Sequence, residues 1–118
     1  MIVLVDTSVW VDHFRYGNRA LVRLLSDGHV MAHDFVIGEL ACGSLGNRAD
    51  ILSDLRALPR ATMASTDEVM SFIDHHRLWG TGLGWADAHL LASALLSQCR
   101  LWTLDKKLEK AAVSLGVS

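Results

Sequence analysis

The chain of 118 residues has little cysteine, a single proline and no excess of positive charge. Its two cysteines, Cys42 and Cys99, stand far apart, so we expect neither a disulfide framework nor a zinc knuckle, but two buried, reduced thiols. The formal net charge of -2 lacks the basic excess typical of nucleic-acid-binding modules. Any binding of nucleic acid would therefore need a local cluster of cations.

The sequence also lacks a long apolar run. No segment approaches the roughly 20 apolar residues of a transmembrane helix, and the N-terminal segment has no basic flank of the kind found in signal peptides. We therefore expect a soluble, cytoplasmic protein. Since 51% of the residues are apolar, the chain can form a sizeable core, and we predict a single domain over residues 1–118.

Short apolar segments alternate with longer segments of helical periodicity. The predicted strands cover residues 2–5, 30–32, 61–64 and 101–104, and the segments between them are predicted helices. Predicted helix boundaries include an N-cap at Ser8, a stop at Pro59 and a capping box from Ser65 to Glu68. This alternation predicts an α/β fold of three layers, in which helices flank a central parallel sheet.

Acidic residues stand at the borders of these segments. Asp6 follows the first strand and Asp105 follows LWTL, while Asp87 begins the most apolar helix and Glu39 interrupts the apolar segment VIGELA. Ligands gather where parallel strands end. Four carboxylates brought together there would repel one another without a cation. The pattern therefore predicts a site for Mg²⁺ or Mn²⁺, which prefer oxygen ligands.

Each of these residues also has a simpler structural interpretation. Asp87 and Asp105 could only cap helices, and Glu39 could lie on the solvated side of its helix. Ser8 and Thr103 flank the acids and could support metal binding through their hydroxyls or through water. They could equally serve only as a helix cap and a strand residue.

Four segments, in order, resemble the motif regions of the PIN-domain family, and most of all those of the VapC ribonuclease toxins of toxin–antitoxin pairs. They are VDTSVWVD, IGELACG, GWADAHLLASALL and LWTLDKKL, and they reach from Ile2 to about Leu108. Carried over by position, the resemblance implies an acidic metal site with polar support from two hydroxyls. Its acids would be Asp6, Glu39, Asp87 and Asp105, and the hydroxyls those of Ser8 and Thr103.

The resemblance further implies a PIN-like fold and Mg²⁺- or Mn²⁺-dependent endonucleolytic cleavage of single-stranded or loop RNA, with tRNA or ribosomal RNA as the expected class. It implies a homodimer and a small VapB-like antitoxin that blocks the site. Because such a site is anionic, basic residues at its rim would have to attract the RNA backbone. Arg15 and Lys106 are the first candidates for substrate binding, followed by Arg19, Arg48 and Lys107, and each could also be ordinary solvated surface.

Two interpretations from other classes remain open. A receiver-like signalling domain has an acidic Mg²⁺ site in an α/β fold, but it would need paired acids after the first strand, where this chain has only Asp6. A catalytically silent PIN module would keep the fold and only bind a partner, although four repelling carboxylates would then have no use.

The chain has four tryptophans, a large number for its length, and core packing is the first interpretation of all of them. Trp79 and Trp85 flank the segment GTGLG, and as an alternative to core packing these two could stack on bases or contact a partner chain. The histidines are predicted to lie on the surface or to be hydrogen-bonded.

Overall fold

A three-stranded parallel sheet lies at the centre of the computed structural model, which describes residues 1–118. Its strands are β1 (Val3–Val5), β2 (Val30–Met31) and β3 (Arg100–Trp102), with β1 in the middle. Within β1, Leu4 pairs with Met31 on one side and with Leu101 on the other. Every residue of β1 is buried, as expected for the central strand of a covered parallel sheet.

Seven helices flank the sheet, which confirms the predicted α/β architecture. They are α1 (Thr7–Tyr16), α2 (Arg19–Ser26), α3 (Asp34–Cys42), α4 (Arg48–Ala57), α5 (Thr66–His76), α6 (Trp85–Leu96) and α7 (Lys106–Ser114). In α6 all residues from Ala88 to Ala94 are buried, whereas Leu95 and Leu96 at its end are exposed. None of the helices is long and apolar enough to span a membrane.

Several predicted boundaries hold. The capping box of α5 is present, since Ser65 and Glu68 each accept a hydrogen bond from the other's backbone N–H. Helix α4 ends at Ala57, two residues before Pro59, as the missing N–H and fixed φ of proline predict.

The two cysteines differ in exposure. Cys99 is buried as expected, and burial raises the pKa of its thiol. The prediction for Cys42 was wrong, because this last residue of α3 is exposed.

Other predicted elements differ from the structure. Residues 61–64 form no strand: a single bridge joins Ala32 to Arg60, and the Thr62 N–H donates to the Ser97 hydroxyl instead of to a neighbouring strand. Strand β3 ends at Trp102, so Asp105 is the N-cap of α7 and not the end of a strand. Helix α1 is capped by Asp6 rather than by Ser8, because the chain turns into the helix directly after β1.

The order of the strands places the end of β1 at a special position. From β1 the chain passes to β2 on one side, and it later returns to β3 on the other side. In open parallel sheets, crevices for ligands form at such a switch point, outside the carboxyl ends of the strands. Asp6 follows β1 directly and therefore occupies the position that this topology favours for a binding site.

Candidate active site

Asp6 is a buried carboxylate held by two hydroxyls. Its side chain is only 8% exposed, and its Oδ2 accepts hydrogen bonds from Ser8 Oγ and Thr103 Oγ1, both at 2.7 Å. The Asp6 backbone N–H donates to the Trp102 carbonyl, which ties the end of β1 to the end of β3. A carboxylate out of water needs such donors, and hydrogen bonds to an ionised group are the strong ones.

The same two hydroxyls connect Asp6 to the turn before α7. Each hydroxyl has one hydrogen, which it donates to Asp6, so its oxygen is free to accept. Ser8 Oγ accepts from the Leu104 N–H at 2.9 Å, and Thr103 Oγ1 accepts from the Asp105 N–H at 3.0 Å. The structure thus brings both predicted supporting residues to Asp6, where they orient its carboxylate.

The other three predicted acids are each anchored by one oxygen. Asp105 Oδ1 accepts from the N–H groups of Lys107 and Leu108 at 2.9 and 3.0 Å, which caps α7. Asp87, in the first turn of α6, accepts from the Gly84 N–H through Oδ2 at 3.0 Å. The exposed Glu39 accepts from the hydroxyl of Thr7 through Oε1 at 3.1 Å.

Thr7 is a residue that the sequence reasoning missed. It follows Asp6 directly, and its hydroxyl brings Glu39 of α3 to the start of α1. Its place between Asp6 and Ser8 was the only available signal, because the contact spans 32 positions of the chain. Hydrogen bonds and chain neighbours therefore connect Asp6, Glu39 and Asp105, whereas no hydrogen bond joins Asp87 to the other acids.

The donor set fits a hard divalent cation. In all four acids one carboxylate oxygen takes every hydrogen bond from the protein, and the second oxygen takes none. Metal-binding carboxylates are commonly oriented in this way, with hydrogen bonds fixing the ligand and an oxygen left for the ion. The free atoms are Oδ1 of Asp6, Oε2 of Glu39, Oδ1 of Asp87 and Oδ2 of Asp105.

These free oxygens do not lie together in a metal-binding cluster. No group of three or more acidic, histidine or cysteine side chains is arranged so that it could hold an ion. Binding of one ion by several of the acids would thus require their side chains to turn. Rotation about the last bond of an aspartate or glutamate is soft, so the exposed Glu39 and Asp105 can make that movement, but they then exchange their hydrogen bonds to the protein for the ion.

The predicted basic residues lie in different places. Arg15 lines a cavity between α1, α3 and residues 43–47, together with Thr7 and Glu39. Lys106 is exposed at the first position of α7 and follows Asp105 directly. Arg48 donates to the Ala41 carbonyl and so stabilises the connection from α3 to α4.

Two histidines lie in the interior beside this region. His33 caps α3 by accepting the Phe35 N–H, and its Nε2 lies 2.9 Å from Ser93 Oγ, so the predicted hydrogen bonding is confirmed. Burial lowers the pKa of His33 to about 4. The prediction was wrong for His89, which is also buried but has no hydrogen-bond partner at Nδ1, and burial lowers its pKa.

The tryptophans divide between core and surface. Trp10 is buried, whereas Trp79 and Trp85 are 63% and 42% exposed, so core packing does not account for these two. Trp85 lies edge-on against His89, with ring centroids 4.7 Å apart. This contact holds an exposed aromatic face two residues from Asp87.

A model of the PIN domain matches residues 3–114. The chain belongs to the PIN-domain family. Two relatives, both named ribonuclease VapC32, from Mycobacterium tuberculosis strains CDC 1551 / Oshkosh and ATCC 25618 / H37Rv, are similar to this PIN domain. Each is 45% identical over 117 residues, which is 98% of this chain and 94% of the relative.

A solved structure shows the same fold. The crystal structure of PAE2754 from Pyrobaculum aerophilum aligns with all of this chain and 91% of its own, with a TM-score of 0.60 and 17% identity. The resemblance found in the four sequence segments is thus confirmed. Membership in the PIN-domain family also removes the receiver-like alternative.

Proposed function

We propose that this PIN domain is a metal-dependent endoribonuclease that acts as the toxin of a toxin–antitoxin pair. The observation that carries the proposal is that each of the four candidate acids accepts hydrogen bonds from the protein through one carboxylate oxygen and has the other oxygen free. These acids are Asp6, Glu39, Asp87 and Asp105. The 45% identity to proteins named ribonuclease VapC32 supports RNA as the substrate and a toxin as the role.

In this proposal the four acids bind the metal ion, and two hydroxyl groups hold one of these acids in position. A Mg²⁺ or Mn²⁺ ion, when bound, would supply activation of water at neutral pH and stabilisation of the charge that builds on the phosphate. Asp6 and Asp105 are the proposed primary ligands, and Glu39 and Asp87 complete the acidic site. Ser8 and Thr103 hold the Asp6 carboxylate in one orientation, so this ligand loses little freedom on binding.

Further parts of the proposal follow from the same family. We propose that residues 1–118 form a single PIN-like domain, that the protein works in the cytoplasm as a homodimer, and that a small VapB-like antitoxin blocks its acidic site. The substrate would be a single-stranded or loop region of tRNA or ribosomal RNA. Arg15 and Lys106 are proposed to contact it, and Arg15 shares a cavity with Glu39.

Cleavage of RNA tests the activity. The purified chain, its Asp6→Asn variant and an Asp50→Asn control are incubated with total RNA in Mg²⁺, Mn²⁺ or EDTA. Asp50 is exposed on α4 and its side chain makes no hydrogen bond. We expect cleavage by the unmodified chain and the control, a loss of at least about 100-fold in Asp6→Asn, and none in EDTA. Equal cleavage by all three proteins, or activity that survives EDTA, would contradict the proposal.

Metal binding is tested separately by thermal unfolding. An ion that binds only the folded chain stabilises it by about 2.7 kcal/mol at a concentration of about 100 times its Kd. We expect Mn²⁺ or Mg²⁺ to raise the Tm of the unmodified chain and of Asp50→Asn, but not of Asp6→Asn. A raised Tm without cleavage of any RNA would favour the catalytically silent module, and an unchanged Tm in all three proteins would refute the metal site.

A further inference from the structure

A second concave surface lies next to the acidic site along the chain, and its polar and apolar lining includes three cations but no acid. It has a volume of about 570 Å³ and lies between the end of α5, residues 77–83 and α7. We name it the basic cleft, defined by Arg77, Lys107 and Lys110, with Thr81 and Ser114 among its polar walls. No aspartate or glutamate lines it.

The three cations of the basic cleft have no anionic partner. The single ion pair of the structure joins Arg60 to Asp34, on another part of the surface. A chain with a net charge of -2 thus places three of its eleven lysine and arginine residues around one cleft, without a neutralising carboxylate. Like charges gathered in this way repel one another, and they raise the local concentration of anions.

The side chain of Lys107 lies close to the backbone of a glycine. Gly82 has a φ of +86°, and a Cβ built there would lie only 2.9 Å from Lys107 Nζ and 3.0 Å from its Cδ. The lysine side chain therefore lies directly on the backbone of Gly82, in space that another residue would fill. Lys110 follows one turn later on the same side of α7.

The walls of the basic cleft lead to two of the candidate acids. The Lys107 N–H donates to Asp105 Oδ1, and Leu83 of the opposite wall precedes Gly84, whose N–H holds Asp87. An anionic chain lying in the cleft would thus continue toward the acidic site. Trp79, which is 63% exposed between the cleft residues Leu78 and Thr81, adds an aromatic face of the kind on which bases stack.

Resting on the proposed function, we propose that the basic cleft binds the phosphodiester backbone of the RNA substrate beside the bond to be cut. Arg77, Lys107 and Lys110 would contact phosphate oxygens, which attract cations without regard to base sequence. The nearby exposed tryptophan and the continuity with the acids favour RNA over an acidic segment of a partner protein. The cleft would supply the local positive charge that the composition of the chain lacks.

This proposal is tested by measuring RNA binding under conditions in which the RNA is not cleaved. Asp6→Asn protein in EDTA is titrated against a short, unpaired, fluorescein-labelled RNA, and anisotropy is followed between about 50 and about 200 mM salt. We compare Lys107→Gln/Lys110→Gln with Arg23→Gln/Arg56→Gln, which removes the same charge from α2 and α4, helices that do not line the cleft. The cleft variant should bind about tenfold more weakly, and its salt slope should fall by about 1.4, at about 0.7 per lost phosphate contact.

Other outcomes overturn the proposal. Affinity and salt slope that match those of the control variant would exclude a contribution of the basic cleft. RNA binding that survives in the cleft variant, together with loss of binding to a polyglutamate peptide, would identify an acidic protein segment as the occupant.

The proposed activity can fail independently of the basic cleft. With all four acids intact, the cleft variant should have a higher KM and nearly the same kcat as the unmodified chain. The lost contacts would bind the substrate and the transition state equally, so their loss weakens binding without slowing the chemical step. Cleft-dependent RNA binding by a chain that cleaves nothing would refute the ribonuclease and retain the cleft. Cleavage with the same KM in the cleft variant would refute the cleft and retain the ribonuclease.

Discussion

At the scale of single residues, the site depends on how the Asp6 carboxylate is held. Thr103 serves two neighbours at once, because its hydroxyl donates to Asp6 Oδ2 and accepts the Asp105 N–H. Thr103 and Asp6 are only 5% and 8% exposed, so water cannot easily replace either bond. Removing the hydroxyl would leave a buried carboxylate with one donor fewer and an N–H without its acceptor.

Thr103→Val is the matching test, since valine has nearly the shape of threonine and lacks only the hydroxyl. We expect the free energy of unfolding to fall by about 1–3 kcal/mol, because buried polar groups lose their partner. Urea unfolding measures the change, with Thr62→Val as the control at an exposed threonine whose hydroxyl makes no hydrogen bond. A Thr103→Val chain as stable as the Thr62→Val chain would show that this hydroxyl does not hold Asp6.

At the scale of elements, three helices begin at the candidate acids. Asp6 caps α1, Asp105 caps α7, and Asp87 lies in the first turn of α6. The N-terminal end of a helix carries partial positive charge and unpaired N–H groups, which stabilise carboxylates. Capping and metal binding are therefore compatible, because each carboxylate uses one oxygen for the protein and keeps the other free.

Substitutions at Asp105 separate these two roles. Asparagine caps a helix about as well as aspartate, so we expect Asp105→Asn to keep stability within about 0.5 kcal/mol, while Asp105→Ala loses about 1 kcal/mol. Both variants should lose RNA cleavage and stabilisation by Mn²⁺, because both lack the charge. Equal urea midpoints for the two variants would argue against the cap, and an active Asp105→Asn would argue against the metal ligand.

The elements also show which features the sequence could reveal. Strand β1 and the α5 capping box were predictable, because apolar runs and a Ser-to-Glu spacing of three are local signals. The absence of a strand at 61–64 was not, because it depends on the contact of Thr62 with Ser97, 35 positions away. The link from Thr7 to Glu39 and the basic cleft likewise depend on packing between distant helices, which a linear pattern does not show.

At the scale of the whole molecule, one buried histidine joins two helices, α3 and α6, that lie far apart in the sequence. The Phe35 N–H donates to His33 Nδ1, so the ring hydrogen lies on Nε2 and is donated to Ser93 Oγ in α6. Protonation of Nδ1 would break the cap of α3 and place a charge in the interior. This agrees with the lowering of the pKa of His33 from 6.5 to about 4, which burial causes and nearby Asp34 only partly opposes.

The free energy of unfolding should therefore fall as the pH is lowered from about 6.5 to about 4. Between about pH 6.5 and pH 4 the unfolded chain binds a proton at His33 that the folded chain does not, so the unfolded state is favoured as the pH drops. The full loss is about 3 kcal/mol, at about 1.4 kcal/mol for each unit of pKa difference. Urea unfolding at a series of pH values measures the slope, to which His89 adds in the same direction.

His33→Asn identifies the source of that slope, because an asparagine oxygen can still cap α3 but takes up no proton. We expect this variant to be less stable at pH 7 and to lose less stability between pH 7 and pH 4 than the unmodified chain. Ser93→Ala should lower stability and keep the slope, since the imidazole remains, and His75→Asn at an exposed position should change neither. An unchanged slope in His33→Asn would mean that other groups carry the acid sensitivity of this fold.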